Sequence, residues 1–503
     1  PDTVLVHLLI KKLYLLQNNL SGALPDFAMD SLKEANFSYN HLTKIGNIQA
    51  PALMSLDVSV NSIATLPVFS LPSLEFFYAF NSGINGALVQ WNTPKLQSVY
   101  LSYNNITSVS TGLSYSQLKI LNLEVNKIEG TLSQWGTPKL EYLNLGENNL
   151  SGVSSNLAYP NLYYFDLAGN EITGDLPNWN FPNLKDLRIH TNHFTANIPD
   201  FAYPLMENFL ANSNNLTGKI PDFNWPNLIL FDVRNNQLSG ALPNLNAPLL
   251  QSYLLSDNKL TGDIKYLNFP VLKSLRLNNN QLDGIIKSPI DLPELTYFEL
   301  SGNKLKGEFA NFNLPQVEFF NITDNDFSGA FPNADMPKLT YLKIEGNNFT
   351  RLPDFTGSAY LYHVSCRYNR FHFDDLLPYK NVGEFIYNQM QPIDMVATPV
   401  GDSILLSVNV RGEGNEYTWY KGVGNLVKMD TNDLMIYKTE KPEDYECQIT
   451  NPLLPKLTLH SKLAQPVLPP CWNNGIFDIC ITGSNEGWES GDEDNQIQTT
   501  LPI

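Results

Sequence analysis

One string governs this chain. Leu-x-x-Leu-x-Leu-x-x-Asn-x-Leu returns every 22 residues, occasionally every 21 or 23, and searching for such self-similarity precedes any local reading. One clear copy is Leu140, Leu143, Leu145, Asn148 and Leu150; another is Leu272, Leu275, Leu277, Asn280 and Leu282. First positions at 10, 32, 53, 74, 96, 118, 140, 162, 184, 206, 228, 250, 272, 295, 317, 339 and 361 make seventeen copies. The Asn is present in sixteen of them, and Ser82 is the exception.

The physics of each position predicts the fold. The central Leu-x-Leu alternates inward and outward, the period of a strand with one buried face. Stacked copies pair in parallel, one strand about every 4.8 Å. A buried turn follows each strand, and its backbone groups need partners. An Asn side chain carries both donor and acceptor, so Asn104, Asn126, Asn148, Asn170, Asn192, Asn214, Asn236, Asn258 and Asn280 are expected to form a ladder. Between strands the chain reads Leu-Ser/Thr-Gly-x-Leu/Ile-Pro, as at Leu238 to Pro243, and a second Pro precedes many repeats, as at Pro138, Pro160 and Pro182. These residues mark turns and exclude a long outer helix, so the outer face is expected to be extended and 3₁₀-like. The fold class is mainly β: a parallel-sheet solenoid with a helix-poor convex side.

This motif resembles the leucine-rich-repeat family, and its Leu-Ser-Gly-x-Leu-Pro stretch is similar to the plant-type subclass, though about two residues shorter. The resemblance covers roughly residues 8–380. It implies a binding scaffold, but not which ligand, because one architecture serves proteins, peptides, glycans and lipids.

After Asn369 the period stops. Short strand-like runs near 386–465 enclose Trp419 and Glu443-Asp444-Tyr445-Glu446-Cys447. This resembles an immunoglobulin-type sandwich, with Trp419 as its core Trp and Tyr445 at its tyrosine corner. The earlier cysteine of the usual bridge is missing; Leu406 or Val408 stands there, which implies a buried free thiol at Cys447. The order of solenoid and bridge-less sandwich resembles large surface proteins of Bacteroidota-type bacteria. The expected domains are 1–383, 384–465 and an acidic linker or tail, 466–503. In that tail Cys471 and Cys480 are close enough to bridge. Its Glu486, Glu489, Asp492, Glu493 and Asp494 are the kind of group Ca²⁺ takes, although a solvated linker accounts for them better.

Charge narrows the function. The 32 basic against 50 acidic residues give −18, which opposes a phosphate backbone and so nucleic acid. No apolar run approaches the roughly 18–20 residues of a membrane helix. The text opens inside a repeat, as a mature or truncated chain would. No phosphate loop, nucleophile elbow or metal-ligating His-Glu-x-x-His occurs. Asp166 and Asp232 fall three repeats apart, about 14 Å, too far for a glycosidase pair. No enzyme and no cofactor are expected.

The informative residues project from the outward positions of the strands. Phe76, Tyr78, Phe80, Tyr100, Tyr142 and Tyr164 form an aromatic stripe, suited either to anchoring a ligand or to packing on itself. Stacked tyrosines also suit sugar rings. Farther on, Asp186, Arg188, Asp232, Arg234 and Arg276 form a mixed-charge strip, either a polar reader or cross-strand ion pairs. The reading is an extracellular or cell-surface adhesion-type protein that holds a protein or glycan ligand on its concave sheet. The alternatives are a self-associating segment of a surface layer or fibre, and a targeting module of a larger carbohydrate-active protein.

Overall fold

A computed structural model of the chain describes residues 10–465 except 266, 288, 402 and 438–442. The acidic tail, with Cys471 and Cys480, lies outside the described residues. The chain divides into two units, the first running to Tyr387 apart from residues 372–374.

In the first unit, eighteen short strands form one parallel sheet, each three residues long, from Lys12–Tyr14 to Glu384–Ile386. At about 4.8 Å per strand the sheet is on the order of 80 Å long. Repeats stack in register: Tyr142, Leu143 and Asn144 stand opposite Tyr164, Phe165 and Asp166. The middle residue of each strand points inward, and Leu121, Leu143, Phe165 and Leu187 are buried. The sheet passes the boundary expected at 383, because Glu384–Ile386 pairs with His363–Ser365 as one more parallel strand.

The Asn ladder holds the turn after each strand. Asn148 Nδ2 donates to the carbonyls of Leu123, Leu145 and Gly146, while Oδ1 accepts the amide of Ile128. One amide thus serves a carbonyl of the preceding repeat, two of its own and an amide behind it. The residue before each Asn adopts a left-handed backbone at most repeats, as at Tyr103, Glu147 and Thr191.

The second prolines are explained by tight turns. Leu162 N donates to Tyr159 O and Leu184 N to Phe181 O, with Pro160 and Pro182 at the position whose fixed φ suits the turn. The outer face differs from the 3₁₀-like expectation. Its extended segments pair across neighbouring repeats into separate short parallel sheets, such as Glu129–Leu132 with Asn149–Val153. The positive φ of Gly130 lets the chain turn into that pairing.

A 44-residue double period lies over the 22-residue one. Trp91, Trp135 and Trp179 alternate with Tyr115, Tyr159 and Tyr203, all buried. Each tyrosine hydroxyl reaches back to the tryptophan of the repeat before: Trp91 N donates to Tyr115 Oη, and Tyr203 Oη to Trp179 O.

The second unit contains two antiparallel sheets. One comprises Met395–Val400, Ser403–Val408 and Asp433–Tyr437; the other comprises Asn425–Met429, Glu416–Lys421, Tyr445–Thr450 and Thr458–His460. Trp419 is fully buried, stands opposite Cys447 and donates Nε1 to Thr431 O at 2.9 Å. Leu406, Val408 and Cys447 are buried, and Cys447 is a free thiol. This arrangement is compatible with a β-sandwich. Among the described residues, no helix is long and apolar enough to cross a membrane.

Candidate functional site

The solenoid register decides which side chains meet. Positions two and four after each repeat start share the outward face of a strand, and the neighbouring repeat places the same two positions alongside. The aromatic stripe therefore comes together, but as two patches. Tyr78 stacks on Tyr100, with centroids 5.2 Å apart and planes 10° from parallel. Tyr142 stacks on Tyr164 at 4.3 Å and 8°. The strand Ile120–Asn122 lies between the two pairs. Phe76 and Phe80 flank Tyr78, half-buried, and neither has a ring partner among the described residues.

The stacking changes what the tyrosines can offer. Tyr142 and Tyr164 give a face to each other, and the guanidinium of Arg188 stands 5.2 Å from the centre of the Tyr164 ring. Rings stacked along the solenoid axis present edges and hydroxyls to a ligand rather than flat faces. Burial raises the Tyr142 and Tyr164 phenols above the ordinary tyrosine range, and the nearby Asp166 carboxylate adds to the effect. They stay neutral at physiological pH; the Tyr164 proton is given to Asp166, while Tyr142 Oη accepts from Asn144 Nδ2 at 3.4 Å and keeps its own proton.

Beside them lies an open hollow of about 540 Å³, lined by Tyr163, Tyr164, Asp186, Leu205, Glu207 and Asn208 among others. Asp166 accepts from Tyr164 Oη at 2.9 Å and from Ala168 N at 2.8 Å. Burial raises its pKa against those two bonds. Glu124 is also raised, by burial and then by Asp166 and Glu147. This part of the concave face is rich in acceptors and acidic.

The mixed-charge strip is arranged differently from the cross-strand expectation. Arg188 binds Asp186 through Nε at 2.9 Å and Nη2 at 3.2 Å, and Arg234 binds Asp232 at 2.9 and 2.7 Å. Each pair is local to one repeat: Asp186 and Arg188 share the face of one strand, Arg234 lies two residues beyond the strand that ends at Asp232, and the register puts Asn208, not a cation, beside Asp186. The charges of Arg188 and Arg234 are thus met locally. Asp166 and Asp232 remain three strands apart.

A further aromatic run was missed. Tyr297 stacks on Phe319 at 4.4 Å and 6°, Phe319 continues to Tyr341 at 6.0 Å, and Arg276 covers the other face of Tyr297 at 4.1 Å. Counting two places from repeat starts 295, 317 and 339 would have found all three rings. No group of three or more His, Cys, Asp or Glu suited to a metal occurs among the described residues.

Comparison with known proteins places the architecture. Residues 94–150 match the family described as Leucine rich repeat. The ectodomain of the Arabidopsis receptor kinase HAESA is similar at a TM-score of 0.53 and 20% identity, over 76% of this chain and 77% of that one. The functional domain of InlJ from Listeria monocytogenes gives 0.53 and 18%, over 82% and 86%. YopM from Yersinia enterocolitica gives 0.50 and 23%, over 72% and 83%. At these identities the likeness shows the fold, a leucine-rich-repeat solenoid. A search of curated protein sequences returns no match.

Proposed function

We propose that the chain is a non-catalytic, extracellular or surface binding protein that holds a polypeptide partner on the concave sheet, centred on Tyr142, Tyr163 and Tyr164. The observation that carries this reading is the edge-on stack. With Tyr142 and Tyr164 stacked face to face and Arg188 over Tyr164, the patch offers the Tyr142 hydroxyl, ring edges and the polar groups of the adjoining hollow, which suit backbone and side-chain groups of a polypeptide better than the face of a sugar. Tyrosine also supplies rigid contact area at low entropic cost. The similar HAESA ectodomain was solved with a peptide hormone ligand, which supports the same use of the fold. The second unit is read as an immunoglobulin-type module that spaces or presents the solenoid. Buried Trp419 opposite Cys447 supports that reading.

The test is selection of a displayed random-peptide library on the wild-type chain beside a glycan array, both repeated on Tyr142→Ser/Tyr164→Ser. Peptides enriched on the wild type and lost on the double variant are expected. Glycan signal without peptide enrichment would overturn the reading.

A further inference from the structure

The hollow beside the tyrosine patch is lined by charged side chains, yet their charges are matched. Lys185 Nζ meets Glu207 Oε1 at 2.8 Å, across one step of the register. Asp186 is held by the Arg188 fork, and Asn208 Nδ2 donates to its Oδ2 at 3.1 Å. Two cations thus answer the two carboxylates that line the hollow, and neither Asp166 nor Glu124 lines it. A charged group entering would lose water and find no unmatched counter-charge.

Apolar surface is left open in the same place. Tyr163 and Leu205 both line the hollow, and they remain 40% and 36% exposed. Tyr163 is braced by Tyr142, whose ring lies 6.5 Å away at 58°. The repeats that carry Tyr163 and Leu205 are two apart, and the repeat between them contributes Asn183 and Lys185. Two strand spacings separate the backbones by about 10 Å, of which a planar ring touching both sides takes about 7–8 Å. At about 540 Å³ the hollow is too roomy for a short aliphatic side chain to touch both.

We propose that this hollow takes an aromatic side chain of the polypeptide partner, with Tyr163 and Leu205 as the walls that select it. A ring placed there covers both apolar side chains and leaves the Lys185–Glu207 and Arg188–Asp186 pairs unbroken. The inference rests on the polypeptide-binding reading for its use, and adds to it the class of residue that the site prefers.

The test uses single amino-acid amides on the full chain, so it does not depend on any peptide being selected. N-acetyl-phenylalanine amide, N-acetyl-leucine amide, N-acetyl-lysine amide and N-acetyl-aspartate amide are titrated separately, with affinities read by saturation-transfer difference NMR. The phenylalanine probe should bind about threefold tighter than the other three, and lose about threefold in Tyr163→Ser and in Leu205→Ser. Lys306→Ala, on the outer face, should leave it unchanged. Both wall residues are exposed, so replacing them should leave the fold intact. No saturable phenylalanine binding, equal or tighter binding of another probe, or undiminished affinity in either wall variant would overturn the proposal. Peptides still enriched on the wild type would then leave the polypeptide reading standing without it.

Discussion

Asn148 Nδ2 donates to the carbonyl of Leu123, 25 residues earlier, at 3.0 Å. This bond, repeated along the chain, ties each turn to the one before it and makes the solenoid cooperative between neighbours. Replacing Asn148 by Ala leaves three carbonyls and the Ile128 amide without their partner in a buried turn. The expected loss is about 2–4 kcal/mol by chemical denaturation. Asn149→Ala, next door but exposed, should stay within about 0.5 kcal/mol. Equal effects at the two positions would contradict the ladder.

Ser82 is the one break in the ladder, and it can be mended. Its hydroxyl donates to Val58 O and lies within reach of Phe80 O, two of the acceptors an Asn would serve. It has no side-chain oxygen placed for the amide of Ile63. The outer-face pairing also lapses here, since residues 61–69 contain no strand. Ser82→Asn should stabilise the chain by about 1 kcal/mol, read as a raised denaturation midpoint. A lowered midpoint would mean that the neighbouring repeats have adapted to serine.

Asp166 is a carboxylate whose folded pKa is raised by burial. A raised folded value contributes stability that is complete below the ordinary aspartate value of about 4 and is lost as pH rises through the folded value. Asp166→Asn keeps an acceptor for Ala168 N and a group able to bond Tyr164, and does not titrate. The stability of the wild type relative to this variant should therefore fall as pH is raised from 3 towards 7. Denaturation curves over that range check the sign; a relative stability that rises with pH would show a carboxylate favoured by its partners over its burial.

Cys366 and Cys447 are buried free thiols. Burial pushes the Cys447 thiol up to about 12, with the Glu446 charge adding to it, and burial raises Cys366 as well. At pH 8 both should resist iodoacetamide in the native chain and react once denatured, measured peptide by peptide by mass spectrometry. Native labelling of Cys447 at the denatured rate would mean that the second unit opens readily.

Much of the fold was legible because the repeat is a physical constraint as well as a pattern. Leu145 and Asn148 have to recur at fixed spacing for a parallel sheet to stack, so their positions predict strand, facing and turn together. The tyrosine pairs were legible in register but not in orientation. Spacing places Tyr142 beside Tyr164 without saying that their rings lie flat on each other. The pairing of Arg188 is not legible from the repeat register, because Asp186 lies two residues away on the same face and the contact is local to one strand. The Trp–Tyr alternation of Trp135 and Tyr159 was hidden beneath the stronger 22-residue signal. The outer-face pairing depends on extended backbone that prolines and glycines permit but do not by themselves require.

The most direct test of the binding reading is the affinity of one library-selected peptide, measured by isothermal titration against the wild type, Tyr142→Ser/Tyr164→Ser and an outer-face control, Lys306→Ala. The account predicts at least a tenfold loss in the tyrosine variant, or about 1.4 kcal/mol, with the control unchanged. Undiminished affinity in the tyrosine variant, or a loss confined to the outer-face control, would contradict it.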